Sequence, residues 1–141
     1  MTEFVKFEQA LALRELGFDE PCFTSYDDEG DLRNPFDYSN SEYDHNRRYI
    51  GDTKNFVHNS ELTIENFNTA KHLYTQFIAA PLYQQAFRWF REKHDKLGCI
   101  QKANDRNRFI YLVNDIVFGF YNTYEEAELA CLNKLIEIVK S

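Results

Sequence analysis

Residues 80–98 read APLYQQAFRWFREKHDKLG, and this stretch predicts the helix around which the fold is organised. At about 100° per residue, its large apolar side chains fall on one side of a helix and its charged side chains on the other. The apolar side holds Leu82, Tyr83, Ala86, Phe87, Trp89, Phe90 and Leu97. Pro81 suits the first helical position, and Gly98 suits the left-handed residue that follows the last turn. We therefore predict an amphipathic helix whose aromatic side is covered by a sheet or by other helices.

The N-terminal segment predicts a second helix, at about residues 3–16. Its apolar side chains recur at helical spacing, and Thr2 stands where a capping residue is needed. Gly17 can supply the left-handed residue that ends such a helix. Phe18 would then fold back against Leu13, as in a Schellman motif.

A third helix is predicted from Thr123 to about residue 140. The Thr123 hydroxyl can accept a hydrogen bond from the N–H of Glu126, and the Glu126 side chain can reach back, which makes a capping box. One apolar row of this helix consists of Ala127, Cys131, Leu135 and Ile138. Further apolar side chains widen the row, so we expect this helix to be covered on more than one side.

Between the central helix and the last helix the pattern changes from helix to strand. The segments rich in β-formers are 99–102, 108–113 and 116–121. Residues 104–107 suit a turn, and Asn114 with Asp115 can form a two-residue hairpin turn. Gly119 is expected to mark a bulge or a close approach of two backbones.

The segment after the first helix predicts another hairpin. Residues 22–26 have the composition of a strand. Asp27 to Gly30 form a turn, in which the glycine supplies a positive φ, and the chain can return as a strand near Leu32. The carboxylates of this turn do not match the spacing of a calcium loop, so we expect no metal there.

Residues 33–79 form a loop-rich insert, which we expect to be the variable part of the chain. Asn, Asp, Ser and Tyr dominate residues 33–60, and no lasting period is present. Part of 61–73 predicts a helix, and the residues after it an extended segment that leads into the central helix. Long ordered loops are uncommon and often functional.

Together these elements predict a single α+β domain that spans residues 1–141. A small antiparallel β-sheet is expected from the strands at 99–121 and the hairpin at 22–32. Three to four helices would pack mainly on one face of this sheet. A chain of this length can bury enough surface to fold without a disulfide or a metal.

The chain carries a formal net charge of −7, and the charge is unevenly placed. Residues 1–60 hold 13 acidic and 6 basic side chains, whereas residues 61–141 hold 10 of each. This sign disfavours direct nucleic-acid binding over the whole surface. We interpret the basic side chains between Arg88 and Arg108 as a solvated face that balances the acidic first third.

No catalytic or metal-binding arrangement is recognisable in the sequence. The four histidines lack metal-ligand spacing, and neither a phosphate-binding glycine loop nor a nucleophile elbow is present. Cys22, Cys99 and Cys131 suit reduced thiols of a cytoplasmic protein. No run approaches the roughly 18 apolar residues that span a bilayer, and no signal-peptide pattern precedes the first helix. We therefore expect neither an enzyme, nor a cofactor, nor contact with a membrane.

Three blocks of the sequence are distinctive together. They are LGFDEPC at 16–22, APLYQQAFRWFREKH at 80–94 and YEEAELACL at 124–132. In this order they resemble a family of small proteins encoded by phages and mobile elements of Bacteroides-type gut anaerobes. The resemblance implies context alone, namely a dispensable accessory protein in the cytoplasm of the host cell rather than a metabolic enzyme, and it carries no site residues.

The first functional hypothesis is a non-catalytic accessory protein that binds a host macromolecule through an acidic surface. The acidic turn and the tyrosine before it would form a compact anionic surface, which suits a basic partner such as a host protein. The predicted partner-binding residues are Tyr26, Asp27, Asp28, Glu29 and Asp31.

The alternative hypothesis is a protein that sequesters a small molecule or a nucleotide. Guanidinium groups present a fork of N–H donors that matches a phosphate. The predicted anion contacts are Arg47, Arg48 and Tyr49 in the insert, with Arg106 and Arg108 in the hairpin.

Overall fold

The computed structural model describes residues 3–27, 29–32, 57–61, 77–103 and 108–141. The chain divides into two compact units, of which unit 1 comprises Met1–Val5 with Leu82–Ser141 and unit 2 comprises Lys6–Pro81. Thr2, the turn at 104–107 and most of the insert at 33–79, including the predicted helix within 61–73, lie outside the described residues. The single-domain organisation stays a prediction.

The described elements confirm the α+β class. In chain order they are α1 (Phe7–Glu15), β1 (Thr24–Tyr26), a 3₁₀ turn (Asn59–Glu61), β2 (Ile78–Ala80), α2 (Tyr83–His94), β3 (Gly98–Lys102), β4 (Phe109–Val113), β5 (Ile116–Tyr121) and α3 (Tyr124–Lys140). The strands form two antiparallel sheets, β1–β2 in unit 2 and β3–β4–β5 in unit 1. No helix among these elements is both long enough and apolar enough to cross a membrane.

The expectation of one sheet was therefore wrong. The strand at 24–26 does not join the C-terminal strands, because its backbone pairs with β2, with Thr24 opposite Ala80 and Tyr26 opposite Ile78. Leu32 makes only an isolated bridge with Tyr26. The expected packing of all helices on one sheet face changes with it, since α1 packs against β2 while α3 packs against β3, β4 and β5.

The helix α2 buries much of its predicted apolar side, but Leu97 lies beyond the helix and is exposed. Both ends of the helix differ from the prediction. Trp89 and Phe90 are buried. Pro81 lies before the N-cap Leu82. The helix ends at His94, and the C-cap Asp95 takes up the left-handed conformation with φ 58°. Aspartate tolerates that conformation, so no glycine is needed there and the chain enters β3 three residues later.

The extended segment before α1 explains why that helix starts late. The carbonyl of Glu3 accepts a hydrogen bond from the N–H of Tyr83 at 3.0 Å, and Phe4 forms a β-bridge with Leu82. Residues 3 to 5 are thus extended along the start of α2, and α1 begins only at Phe7.

The end of α1 confirms the predicted Schellman motif. The N–H of Phe18 donates to the carbonyl of Leu13 at 2.9 Å, and Gly17, at φ 102°, donates to the carbonyl of Arg14 at 3.0 Å. Phe18 is buried. The buried Asn59 then ties this end to β2, because its amide donates to the carbonyl of Phe18 and accepts from the N–H of Ala79, both at 2.9 Å.

The β4–β5 hairpin has the predicted two-residue turn. Asn114 and Asp115 have φ values of 51° and 72°, which is the pattern of a type I′ turn. Asn114 also holds the segment before β3, since its N–H donates to the carbonyl of Leu97 at 2.8 Å and its Oδ1 accepts from the N–H of Leu97 at 2.7 Å.

Gly119 marks the expected bulge in β5. Tyr111 lies opposite Phe118, whereas Ile110 lies opposite Phe120, so Gly119 is the extra residue. Its φ is +54°, a conformation that side chains rarely adopt. The bulge turns Phe118 and Tyr121 to the same face of the sheet, where both rings stack against the ring of Tyr111. The distances between ring centres are 5.4 Å for Phe118 and 6.0 Å for Tyr121.

The helix α3 begins with the predicted cap and lies across one face of the sheet. The Thr123 Oγ1 accepts from the N–H of Glu126 at 3.1 Å, and the Glu126 carboxylate accepts from the N–H of Asn122 at 3.2 Å, one residue before the predicted partner. A Cβ on Gly98 would lie 2.8 Å from the Cys131 sulfur and 3.0 Å from a methyl carbon of Leu135. The absence of a side chain at Gly98 therefore allows α3 to approach β3 closely.

We predict that Gly98→Ala lowers the free energy of unfolding by about 1–3 kcal/mol, because the added methyl group overpacks a filled site. In a Cys131→Ala background the same change should cost less, since the nearest atom has been removed. Urea unfolding of the four proteins of this cycle measures the difference. Equal costs in both backgrounds would show that the α3 contact is not the cause.

Candidate functional site

The acidic turn of unit 2 is held in place by one of its own carboxylates. The Asp27 Oδ1 accepts hydrogen bonds from the N–H groups of Glu29 and Asp31, each at 2.9 Å. The backbone closes the same turn, since the N–H of Gly30 donates to the carbonyl of Asp27 at 3.0 Å. Asp27 is half-buried, whereas Glu29 and Asp31 are exposed. Asp27 therefore positions the turn, and the other two carboxylates form its surface.

Tyr26 lies beneath this turn rather than on its surface. Its side chain is 8% exposed, and its ring stands edge-on to the ring of Phe7 at 5.6 Å. Burial raises the pKa of its hydroxyl above the usual value. The tyrosine named in the predicted site thus anchors the turn to α1. Asp28, another member of that site, lies outside the described residues.

The anion site of the alternative hypothesis lies mostly outside the described residues. Of the five predicted contacts, only Arg108 belongs to the residues that the structure describes. The other four, Arg47, Arg48, Tyr49 and Arg106, lie outside them. Its guanidinium lies 4.9 Å from the centre of the Phe120 ring, a cation–π contact at the end of β5. The alternative stays a prediction.

Unit 1 contains a cleft that sequence reasoning missed. It has a volume of about 320 Å³ and is lined by Glu3, Leu82, Tyr83, Gln84, Tyr124, Glu125 and Glu128. The backbone hydrogen bond between Tyr83 and Glu3 brings the N-terminal segment to the start of α2. The first turns of α3 supply the remaining wall. No local signal links Glu3 to residues so distant along the chain.

The electrostatics of this cleft are those of a partly desolvated acidic site. Burial, followed by repulsion from Glu125, raises the pKa of Glu128 to about 7. Burial, followed by the charge of Glu128, also raises the pKa of Tyr124. A positive group in the cleft would favour the ionised form of Glu128. Among the described residues no three acidic, His or Cys side chains could together hold a metal ion.

The two most buried thiols are poor nucleophiles. Burial, together with the charges of Glu20 and Asp19, raises the pKa of Cys22 to about 12. Burial also raises the pKa of Cys131 to about 12. Because the thiolate is the reactive form, both side chains stay protonated and unreactive near neutral pH.

No protein-family model, curated protein or solved structure matches this chain. The relationship to phage and mobile-element proteins therefore stays a prediction that rests on the three sequence blocks.

We predict that Asp27→Ala destabilises unit 2 more than Asp27→Asn does, by about 1–2 kcal/mol. Both changes remove the charge, but asparagine keeps an Oδ1 that can accept from Glu29 and Asp31, whereas alanine leaves both N–H groups without this acceptor. Chemical denaturation of the two variants at one pH gives the comparison. Equal stabilities would mean that the carboxylate does not hold the turn.

We predict that Glu128 contributes a loss of stability as the pH rises from about 4.5 to 7. Its pKa is higher in the folded chain than the ordinary value of 4.5, so the folded state binds its proton more tightly. This contribution is complete below pH 4.5 and is lost as the pH rises through about 7.

Glu128→Gln should remove that loss, so that the variant gains stability relative to the original chain over this pH interval. Thermal unfolding from pH 4 to pH 8 measures the gain, and Glu92→Gln on the exposed side of α2 is the matched control. A constant difference between Glu128→Gln and the original chain across the interval would contradict the raised pKa.

Proposed function

We propose that this chain is a non-catalytic accessory protein of a phage or mobile element, that it acts in the host cytoplasm, and that it binds a basic host protein through an acidic surface. The observation that supports this proposal most directly is the turn at 27–31. There, one carboxylate fixes the backbone and two others, Glu29 and Asp31, are exposed.

A fixed turn is better suited to binding than a flexible acidic loop. The side chains of Glu29 and Asp31 must still be ordered on binding, but the backbone that carries them already has two hydrogen bonds to Asp27. Pre-organisation of this kind lowers the entropic cost of association. The contact area of one turn is small, so the turn would supply orientation and selectivity for positive charge rather than the whole affinity.

The distribution of charge over the chain also supports a positively charged partner. Residues 1–60 carry the whole excess of acidic side chains, and the overall net charge is −7. Such a field attracts a basic partner over distances of about one Debye length, roughly 8–10 Å at physiological salt. Affinity for the partner should therefore fall as salt is added.

The cleft of unit 1 is a second anionic feature, independent of the turn. Its three carboxylates and two tyrosine rings suit the ammonium or guanidinium group of a basic side chain. The turn and the cleft belong to different units, so each can be tested by its own substitutions. The high pKa values of Cys22 and Cys131 support a binding role over nucleophilic catalysis.

We predict that the double variant Glu29→Ser, Asp31→Ser binds a lysine-rich peptide about three- to tenfold more weakly than the original chain, because two exposed charge contacts are lost. Fluorescence anisotropy at low and physiological salt measures the affinity, with a glutamate-rich peptide of equal length as the negative probe. The matched control is Glu8→Ser, Glu15→Ser in α1, which removes the same charge from exposed positions of the same unit.

The control distinguishes binding at the acidic turn from a general effect of the net charge of the chain. Weaker binding in the turn variant alone supports the turn as the contact surface. Equal losses in both double variants would assign the effect to net charge and would remove the turn from the proposal. The same two variants, compared as baits in host lysate, should differ in the basic proteins they retain.

A further inference from the structure

The strand β5 forms an edge of the three-stranded sheet without the usual protection of an edge. Among the described residues no strand pairs with its outer side. Its sequence, IVFGFY at 116–121, contains no charged residue and no proline. Edge strands normally carry such residues, because a bare apolar edge is a template for another strand. The opposite edge, β3, ends in the exposed Gln101 and Lys102.

The side chains of β5 are open to solvent to an unusual degree. Ile116, Val117 and Phe120 are 60%, 51% and 57% exposed. Val117 lies opposite Leu112 and Phe120 lies opposite Ile110, so both belong to the sheet face that α3 does not cover. The bulge at Gly119 is what brings these two side chains to one face, since residues three apart in a regular strand point to opposite faces.

The two ends of this edge carry opposite charges. Asp115 immediately precedes β5, and the Arg108 guanidinium lies over the ring of Phe120 near the other end. A two-fold axis through the middle of the strand would bring the negative end of one copy to the positive end of the other. The edge is therefore complementary to itself in charge as well as in its apolar character.

We propose that β5 pairs in antiparallel register with β5 of a second copy of this chain, which extends the three strands into one six-stranded sheet. In the register that best matches the exposed side chains, Val117 lies opposite Phe120 of the second copy, and the reverse pair repeats across the axis. Asp115 then lies beside the end of the second copy that carries Arg108. This inference is independent of the acidic partner surface, which belongs to unit 2.

The size of the contact defines the kind of dimer. Pairing over six residues, with four large exposed side chains at its centre, falls at the small end of specific interfaces. The dimer is therefore reversible. We expect the mass measured by sedimentation equilibrium or light scattering to rise from 16.8 kDa towards twice that value as the full chain is concentrated from about 1 to 300 µM.

Two variants and one control test the proposal. Val117→Lys places a charge at the centre of the pairing and should raise the dimer dissociation constant at least about tenfold. Gln101→Lys places the same charge at an exposed position on the same face of the other edge strand and should leave the constant unchanged. Near-ultraviolet circular dichroism of the dilute proteins checks that both variants are folded.

The variant Asp115→Gly distinguishes an effect on dimerisation from an effect on folding stability. Glycine is the preferred second residue of a type I′ turn, so the variant should unfold at the same or a higher temperature when dilute. Loss of the charge should nevertheless raise the dissociation constant about three- to tenfold and reduce its dependence on salt. A monomeric original chain at all concentrations, or equal effects of Val117→Lys and Gln101→Lys, would overturn the proposal.

Discussion

The close approach of α3 to β3 at Gly98 is the contact on which unit 1 depends. Because no Cβ stands between them, Cys131 and Leu135 pack directly against the strand, and α3 lies over one face of the sheet. The same placement holds the first turns of α3 beside the start of α2, where the acidic cleft forms. On the opposite face of the sheet, Val117 and Phe120 are exposed. The position of the cleft is thus a consequence of this packing contact.

Short side chains hold the irregular backbone of both units. Asp27 accepts from two N–H groups of the acidic turn, Asn59 links Phe18 to β2, and Asn114 closes on Leu97. Strands of three to six residues leave many backbone groups without partners at their ends, and unpaired groups are costly where water is excluded. These three side chains supply hydrogen-bond partners for backbone groups beside the short strands.

Sequence patterns of a few neighbouring residues predicted caps and turns correctly, but they could not predict contacts between residues that are distant along the chain. The Schellman motif at Gly17, the cap at Thr123 and the hairpin turn at Asn114 each follow from a few neighbouring residues. The partner of β1 lies more than 50 residues away, in a strand too short to show a period, so the sheet was assigned wrongly. Burial of Tyr26 under the turn and the cleft around Glu3 are also tertiary effects, and no pattern in the sequence marks them.

The bulge at Gly119 determines how far association through β5 can extend. Bulges usually protect an edge by twisting it away from further strands, yet here the extra residue also gathers Val117 and Phe120 on one face. Pairing of two β5 strands uses up both copies of the apolar edge. The edges that remain are those of β3, which end in Gln101 and Lys102 and resist further addition. An isologous contact of this kind closes at two copies, so the exposed strand leads to a dimer and not to an open fibre.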